Sequence, residues 1–144
     1  MINKLFVDGS SAGNPGPAGI AMLFVNENGV IEYKHSQPIG IATNNEAEYE
    51  AVLYGLLTAI SLGIRSLQVF TDSKLVYEQI RGSYKVRSGK LATLREAVIG
   101  TTKFFDSVSF FWIPEGENTV ADRMAKEAAR RAYNQIAALK RRRK

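Results

Sequence analysis

"SLQVFTDSK", residues 66–74, is a short apolar run that ends in an acid and then meets a serine suited to capping a helix. Six residues of this composition predict a strand at 66–71, with Asp72 at its carboxyl end. The chain opens on the same arrangement. "INKLFVD" (2–8) predicts a strand ended by Asp8, and the glycine and proline cluster at 13–19 predicts a loop. One strong helical segment lies between the two strands. Strand, helix, strand in this order predicts a neighbouring parallel pair with a right-handed crossover. Asp8 and Asp72 are then expected side by side at the carboxyl ends of adjacent strands. Open α/β sheets place their ligands there.

The rest of the chain builds outward from that pair. "GIAMLFVNENGVIEYKHSQ" (19–37) reads as two strands joined at Asn28-Gly29, a strong hairpin signal. In the second of them Ile31, Tyr33 and His35 alternate with Glu32, Lys34 and Ser36, which predicts one wet face. His35 is read as structural. Tyr49, Val52, Leu53, Leu56, Leu57 and Ile60 recur at helical spacing. Thr43 and Glu46 have the spacing of a capping box, so this helix begins near Asn44, and Gly63 ends it. Ser73 starts a short helix to about Arg81, and 89–103 is a further helix. "SVSFFWI" (107–113) is a fifth strand stopped by Pro114, with Trp112 assigned to the core. "TVADRMAKEAARRAYNQIAAL" (119–139) is a final helix, with Thr119 and Asp122 at capping-box spacing. The order β-β-β-α-β-α-α-β-α implies an α/β fold, a mixed sheet covered by helices.

A chain of 144 residues is expected to form one domain. No stretch is apolar over the ~18 residues of a membrane span, and no signal peptide is recognised. With no cysteine, disulfides and thiolate metal sites are excluded. A cytoplasmic monomer is the expectation. The net charge of +5 is unevenly placed. Five bases fill 140–144 and leave a balanced body. Within that body Lys74, Arg81, Lys85, Arg87, Lys90, Arg95 and Lys103 outnumber Glu78 and Glu96 over 74–103. Both zones suit a polyanion, where phosphate neutralisation dominates affinity.

Four acids carry the chemistry. Alone, Asp8 reads as a turn acid, Asp72 as a helix-start acid and Asp122 as part of a cap. Glu48 is harder to dismiss, because Glu46 already fills the capping role. Glu48 points toward the edge of the buried stripe, where an ionised carboxylate is costly unless paired or bound to a cation. Taken together, four converging carboxylates repel strongly unless cations neutralise them. Oxygen ligands without His or Cys select a hard divalent ion, Mg²⁺ or Mn²⁺. Two such ions are a known device for in-line phosphoryl chemistry.

"DGSSAGNPGPAG", "TNNEAEY", "TDSKLV" and "ADRMAKEA" closely resemble ribonuclease H type 1, in the right order and spacing, over about residues 1–135. The resemblance implies a ribonuclease H-like fold, a five-stranded mixed sheet of order 3-2-1-4-5 flanked by helices. It implies cleavage of the RNA strand of RNA/DNA hybrids, giving 5′-phosphate and 3′-hydroxyl ends. It also implies roles. Asp8 would bridge two metal ions, Asp122 would hold the one that activates water, and Glu48 and Asp72 the one at the leaving oxygen. Gly13, Asn14, Asn44 and Asn45 match minor-groove contacts to ribose hydroxyls, and Thr43 a grip on a DNA phosphate.

The sequence departs from the family pattern twice. The loop "IPEGENTVAD" lacks the His that many relatives carry before the last acid; Glu117 stands near that place. "RGSYKVRSGKLATLREAV" is too short for the tryptophan-rich basic protrusion of other relatives. Lys85, Arg87, Lys90 and the tail are expected to replace part of it. The division expected is a catalytic domain over 1–138 and a basic tail over 139–144, with no binding domain ahead of the first strand. Two rivals remain: a family member that binds hybrids without cutting them, and a junction resolvase on the same fold. The ribose-reading elements disfavour the second.

Overall fold

The structure, a computed structural model, describes residues 1–143; Lys144, the end of the basic tail, lies outside the described residues. Five strands, β1 (Ile2–Ser11), β2 (Gly16–Asn26), β3 (Ile31–Ala42), β4 (Ser66–Thr71) and β5 (Ser107–Trp112), form one sheet of order β3-β2-β1-β4-β5. The first three pair antiparallel, while β1/β4 and β4/β5 pair parallel. The helices are α1 (Asn44–Ser61), α2 (Lys74–Ile80), α3 (Gly89–Thr102) and α4 (Thr119–Arg142), with a 3₁₀ turn at Glu115–Glu117. The mixed sheet and its strand order are those the sequence implied.

Alternation along β1 and β2 divides the core. Leu5, Val7, Ile20, Met22 and Phe24 pack with Tyr49, Val52 and Leu56 of α1 and with Val98 of α3. Leu23 and Val25, on the opposite face, pack with Ala121 and Met124 of α4. Period-2 strands between helices on both sides require this division. The small-residue stripe of α4 lets that helix lie directly on β2. At Gly19 an added Cβ would collide with Ala128 and the backbone of Ala129.

Helix α4 covers β1, β2 and β3 and leaves one face of β4 and β5 open. Phe6, Phe70 and Phe111 stack across that face, with centroids 4.7 and 5.2 Å apart. Trp112, at the end of the edge strand β5, is 42% exposed, which corrects its assignment to the core. Helix α4 does not reach that corner, and from α2 only Lys74 does, its Nζ 6.0 Å from the centre of the Trp112 ring.

Several boundaries also differ from expectation. β1 runs three residues past Asp8, and β2 starts at Gly16, because Ser11 to Gly9 keep pairing with Ala18 to Ile20 across the glycine-rich turn. The first four residues of β3, 31–34, are exposed on both faces, since they lie on an edge strand beyond the reach of α4. Thr119 does not cap α4. Asn118 occupies the N-cap position and uses its side chain elsewhere. The basic residues Lys140, Arg141 and Arg142 are the last turn of α4.

Candidate metal centre and nucleic-acid interface

Parallel pairing sets the site. Phe6 lies opposite Phe70 in the β1/β4 register, so Asp8 and Asp72 emerge two residues further on, side by side. Helix α1 brings the third acid. Its first turn is fixed by the expected capping box: Thr43 Oγ1 accepts from Glu46 N at 3.1 Å, and Glu46 Oε1 accepts from Thr43 N at 2.8 Å. With Glu46 so occupied, Glu48 turns inward and accepts a hydrogen bond from Gly9 N at 2.6 Å. Gly9 has to be glycine here. A Cβ would overlap the backbone of Ala47 and Glu48, so only a bare backbone lets α1 approach β1 this closely.

Ligand oxygens of Asp8, Glu48 and Asp72 lie within 4.8 Å of one another. Asp8 is 3% exposed and Glu48 6%. The Asp122 carboxyl, in the first turn of α4, lies against Asp8 and faces outward to Lys126 Nζ at 3.1 Å. The sequence therefore brings all four acids to one edge of the sheet. Among the described residues no Lys or Arg forms an ion pair with Asp8, Glu48 or Asp72.

Electrostatics follow from that isolation. Burial first, and then the charge of Glu48, push the Asp8 carboxyl far above the ordinary carboxylate range. Burial also raises Glu48, against the bonds it accepts. Asp72 is raised by burial and partly restored by a bond from Asn118. Two buried carboxylates and a half-buried third that resist ionisation together, all oxygen donors and none in an ion pair among the described residues, fit a hard divalent ion.

Asn118 is a site residue that the sequence reading missed. Its Nδ2 donates to Val7 O at 2.8 Å and to Asp72 Oδ2 at 3.1 Å, joining β1, β4 and the start of α4. Its signal was the N-cap preference for Asn, one turn before Asp122. Asn118→Ala leaves two acceptors without a donor. It is expected to cost about 1–3 kcal/mol of stability by thermal melting. It should also weaken divalent-ion binding roughly tenfold by freeing Asp72.

The candidate nucleic-acid residues fall into two groups. Asn14 Oδ1 accepts from Asn44 N at 3.0 Å, so Gly13, Asn14, Thr43, Asn44 and Asn45 form one surface around the start of α1. Lys85 and Arg87 are exposed on the loop between α2 and α3. That loop is held from within: Tyr49 Oη donates to Gln79 Oε1 at 2.6 Å, and Gln79 Nε2 donates to Lys85 O at 3.3 Å. Lys90 reaches Glu46 at 3.6 Å, which sets the basic loop beside the α1 surface. Glu117 is exposed and makes no side-chain contact to the acids. Glu115, in the same 3₁₀ turn, lies nearer and adds its charge to Asp72. His35 pairs with Gln37 at 2.9 Å on β3, away from the acids.

A 3-2-1-4-5 mixed sheet with one carboxylate on its central strand β1, one just past the end of the adjacent β4 and two near the starts of helices defines a ribonuclease H-like protein. The sequence model of a family described as reverse transcriptase-like matches residues 6–128. The chain is 39% identical over 132 residues to the bifunctional protein Rv2228c of Mycobacterium tuberculosis, covering 91% of this chain and 36% of that one. It thus spans about a third of the length of that curated relative. The N-terminal RNase H domain of Rv2228c superposes with a TM-score of 0.86 at 36% identity, covering 94% of this chain and 99% of that one. RNase H1 from Halobacterium salinarum gives 0.85 at 34%, covering 87% and 95%. LC11-RNase H1, crystallised with an RNA/DNA hybrid, gives 0.85 at 32%, covering 90% and 98%. The chain belongs to the ribonuclease H family. Among its described residues no helix is long and apolar enough to cross a membrane.

Proposed function

We propose that the chain is a metal-dependent endonuclease that hydrolyses the RNA strand of RNA/DNA hybrids, with residues 1–138 as its catalytic domain. The observation that carries this reading is the cluster of the buried Asp8 and Glu48 with the half-buried Asp72, none of them in an ion pair among the described residues, beside an exposed Asn-rich surface. Asp8, Glu48, Asp72 and Asp122 would hold two divalent ions, Mg²⁺ or Mn²⁺, with Asp8 central to the set. When bound, such a pair supplies charge neutralisation and water activation for in-line attack at phosphorus, leaving a 5′-phosphate and a 3′-hydroxyl.

The chain's own residues do the rest. Gly9 N and Asn118 Nδ2 hold Glu48 and Asp72 in place. Gly13, Asn14, Asn44 and Asn45 offer short polar groups to a minor groove, where ribose hydroxyls distinguish RNA from DNA. Thr43, Lys85 and Arg87 bear on the phosphates. All of these groups come from one chain, so a monomer suffices.

The test is a hybrid labelled on either strand, incubated with Mg²⁺, Mn²⁺ or chelator. Cuts confined to the RNA strand and abolished by chelator are expected. Tight hybrid binding without cleavage in either metal would overturn the nuclease in favour of a binding-only protein.

A further inference from the structure

The outward face of α4 carries two cationic stretches, one at 123–131 beside the acidic cluster and one at 140–143 at the helix end, separated by the uncharged residues 132–139. At 3.6 residues per turn, Arg123, Lys126, Arg130 and Arg141 fall on the side away from the buried Ala121, Ala125, Ala128 and Ala132, and Lys140 lies about a quarter-turn from them. All five are exposed. Glu127, the acid on this face, is engaged by Arg130 and Arg131, and Lys126 by Asp122. No acid follows Glu127 in the chain. Lys140, Arg141, Arg142 and Arg143 form no ion pair among the described residues. A helix C-terminus favours a cation by about 0.3–1 kcal/mol. That accounts for one or two bases, not for four consecutive ones that repel each other on a helix projecting ten residues past its last buried residue, Ala132.

We propose that this face is a nucleic-acid track, along which a phosphate backbone leaving the acidic cluster runs and is held at the far end by Lys140, Arg141, Arg142 and Arg143. The inference rests on the proposed hybrid substrate and extends its footprint. Charge and position favour nucleic acid over a membrane. The track begins at Arg123, next to Asp122, so a strand bound at the acids already lies at its start. Surface-seated helices insert a row of large apolar side chains; the exposed large apolar residues of α4, Val120, Tyr133 and Leu139, are spread around the helix and form no such row. From Arg123 to Arg141 the helix rises about 27 Å. That spans roughly eight base pairs at about 3.4 Å each.

The test compares the native chain with one lacking residues 140–144 and with the full-length triple variant Lys140→Gln, Arg141→Gln, Arg142→Gln. KM is read between 50 and 200 mM salt on hybrids of roughly 10 and 30 base pairs, lengths set by that reach. Both variants are expected to raise KM on the long hybrid about tenfold at the lower salt, with kcat unchanged. The slope of log KM against log salt should flatten by roughly two, because each phosphate no longer neutralised removes about 0.9 from it. The short hybrid should show neither effect. An unchanged slope on the long hybrid in both variants overturns the track. So does a slope change of equal size on both lengths. Weakened binding to phosphatidylserine vesicles with an unchanged hybrid slope would assign the face to membranes instead. If the native chain cuts neither hybrid, the nuclease reading fails separately, and the track is judged by the salt slope of binding to the uncut duplexes.

Discussion

Asp8→Asn is expected to abolish RNA cleavage, by at least about 10³-fold in kcat, while making the metal-free chain more stable. The two effects have one cause. Asp8 sits at the centre of the acidic cluster, 3% exposed, in contact with Glu48 and Asp122. As a carboxylate it is the group best placed to bind cations, and without them it is a buried charge among like charges. Its folded-state pKa is raised above the ordinary 3.8. The folded chain therefore holds a proton that the unfolded chain releases. Stability from this group is fully present below about pH 4 and is lost as pH rises toward its folded pKa. Metal-free protein should thus melt at lower temperature at pH 8 than at pH 5. Asn carries no charge to lose and should flatten that decline. A gain on the order of 2 kcal/mol at pH 8, or about 6–8 °C, is expected. Adding Mg²⁺ should raise the melting temperature of the native chain and leave that of Asp8→Asn nearly unmoved. Calorimetry in chelator and in Mg²⁺ at the two pH values reads all four corners. A variant that loses stability in chelator would remove the electrostatic account of the cluster.

The acids were legible in the sequence because each lies near a signal of its own. An apolar run before Asp8 and before Asp72 marks a strand, with Asp72 just past the end of β4 and Asp8 still inside β1, which runs on to Ser11. The Thr43–Glu46 capping box sets the phase of α1 so that Glu48 turns inward. The hairpin at Asn28-Gly29 and the crossover through α1 set the order of the first four strands. The groups that hold the acids were not legible, because they act through tertiary contacts. Nothing local in "ENTVAD" shows that Asn118 leaves its capping role to reach Val7 and Asp72, 111 and 46 residues away. Side-chain type alone places Trp112 in the core. Its exposure depends on where α4 ends its coverage, which residue periodicity in β5 does not encode. The basic tail reads as charge without shape, and only the continuation of α4 gives those charges a direction.

Gly9→Ala should be the most damaging single methyl group in the chain. Gly9 follows Asp8 in β1, and its absent side chain is the space that α1 occupies. An added Cβ would meet the Ala47 carbonyl group and the Glu48 nitrogen, backbone atoms that cannot swing aside. Either α1 lifts from the sheet or β1 bends at the acid. Lifting α1 breaks the bond from Gly9 N to Glu48 Oε1 and withdraws Glu48 from Asp8 and Asp72. It also opens the packing of Tyr49 and Val52, both fully buried, on Val7 and Ile20. Overpacking of this kind costs about 1–3 kcal/mol, and more where backbone meets backbone. A loss of about 3 kcal/mol or more is expected in denaturant melts, with cleavage reduced at least roughly 10²-fold in the fraction that stays folded. The comparison that separates packing from chemistry is Gly19→Ala, where the added Cβ meets α4 at Ala128 and Ala129, on the other face of the sheet. It should destabilise by a similar amount. The folded fraction should nevertheless keep most of its activity, because none of the four acids is held at Gly19. If both variants lose activity in proportion to stability alone, the close approach at Gly9 serves the fold and not the site.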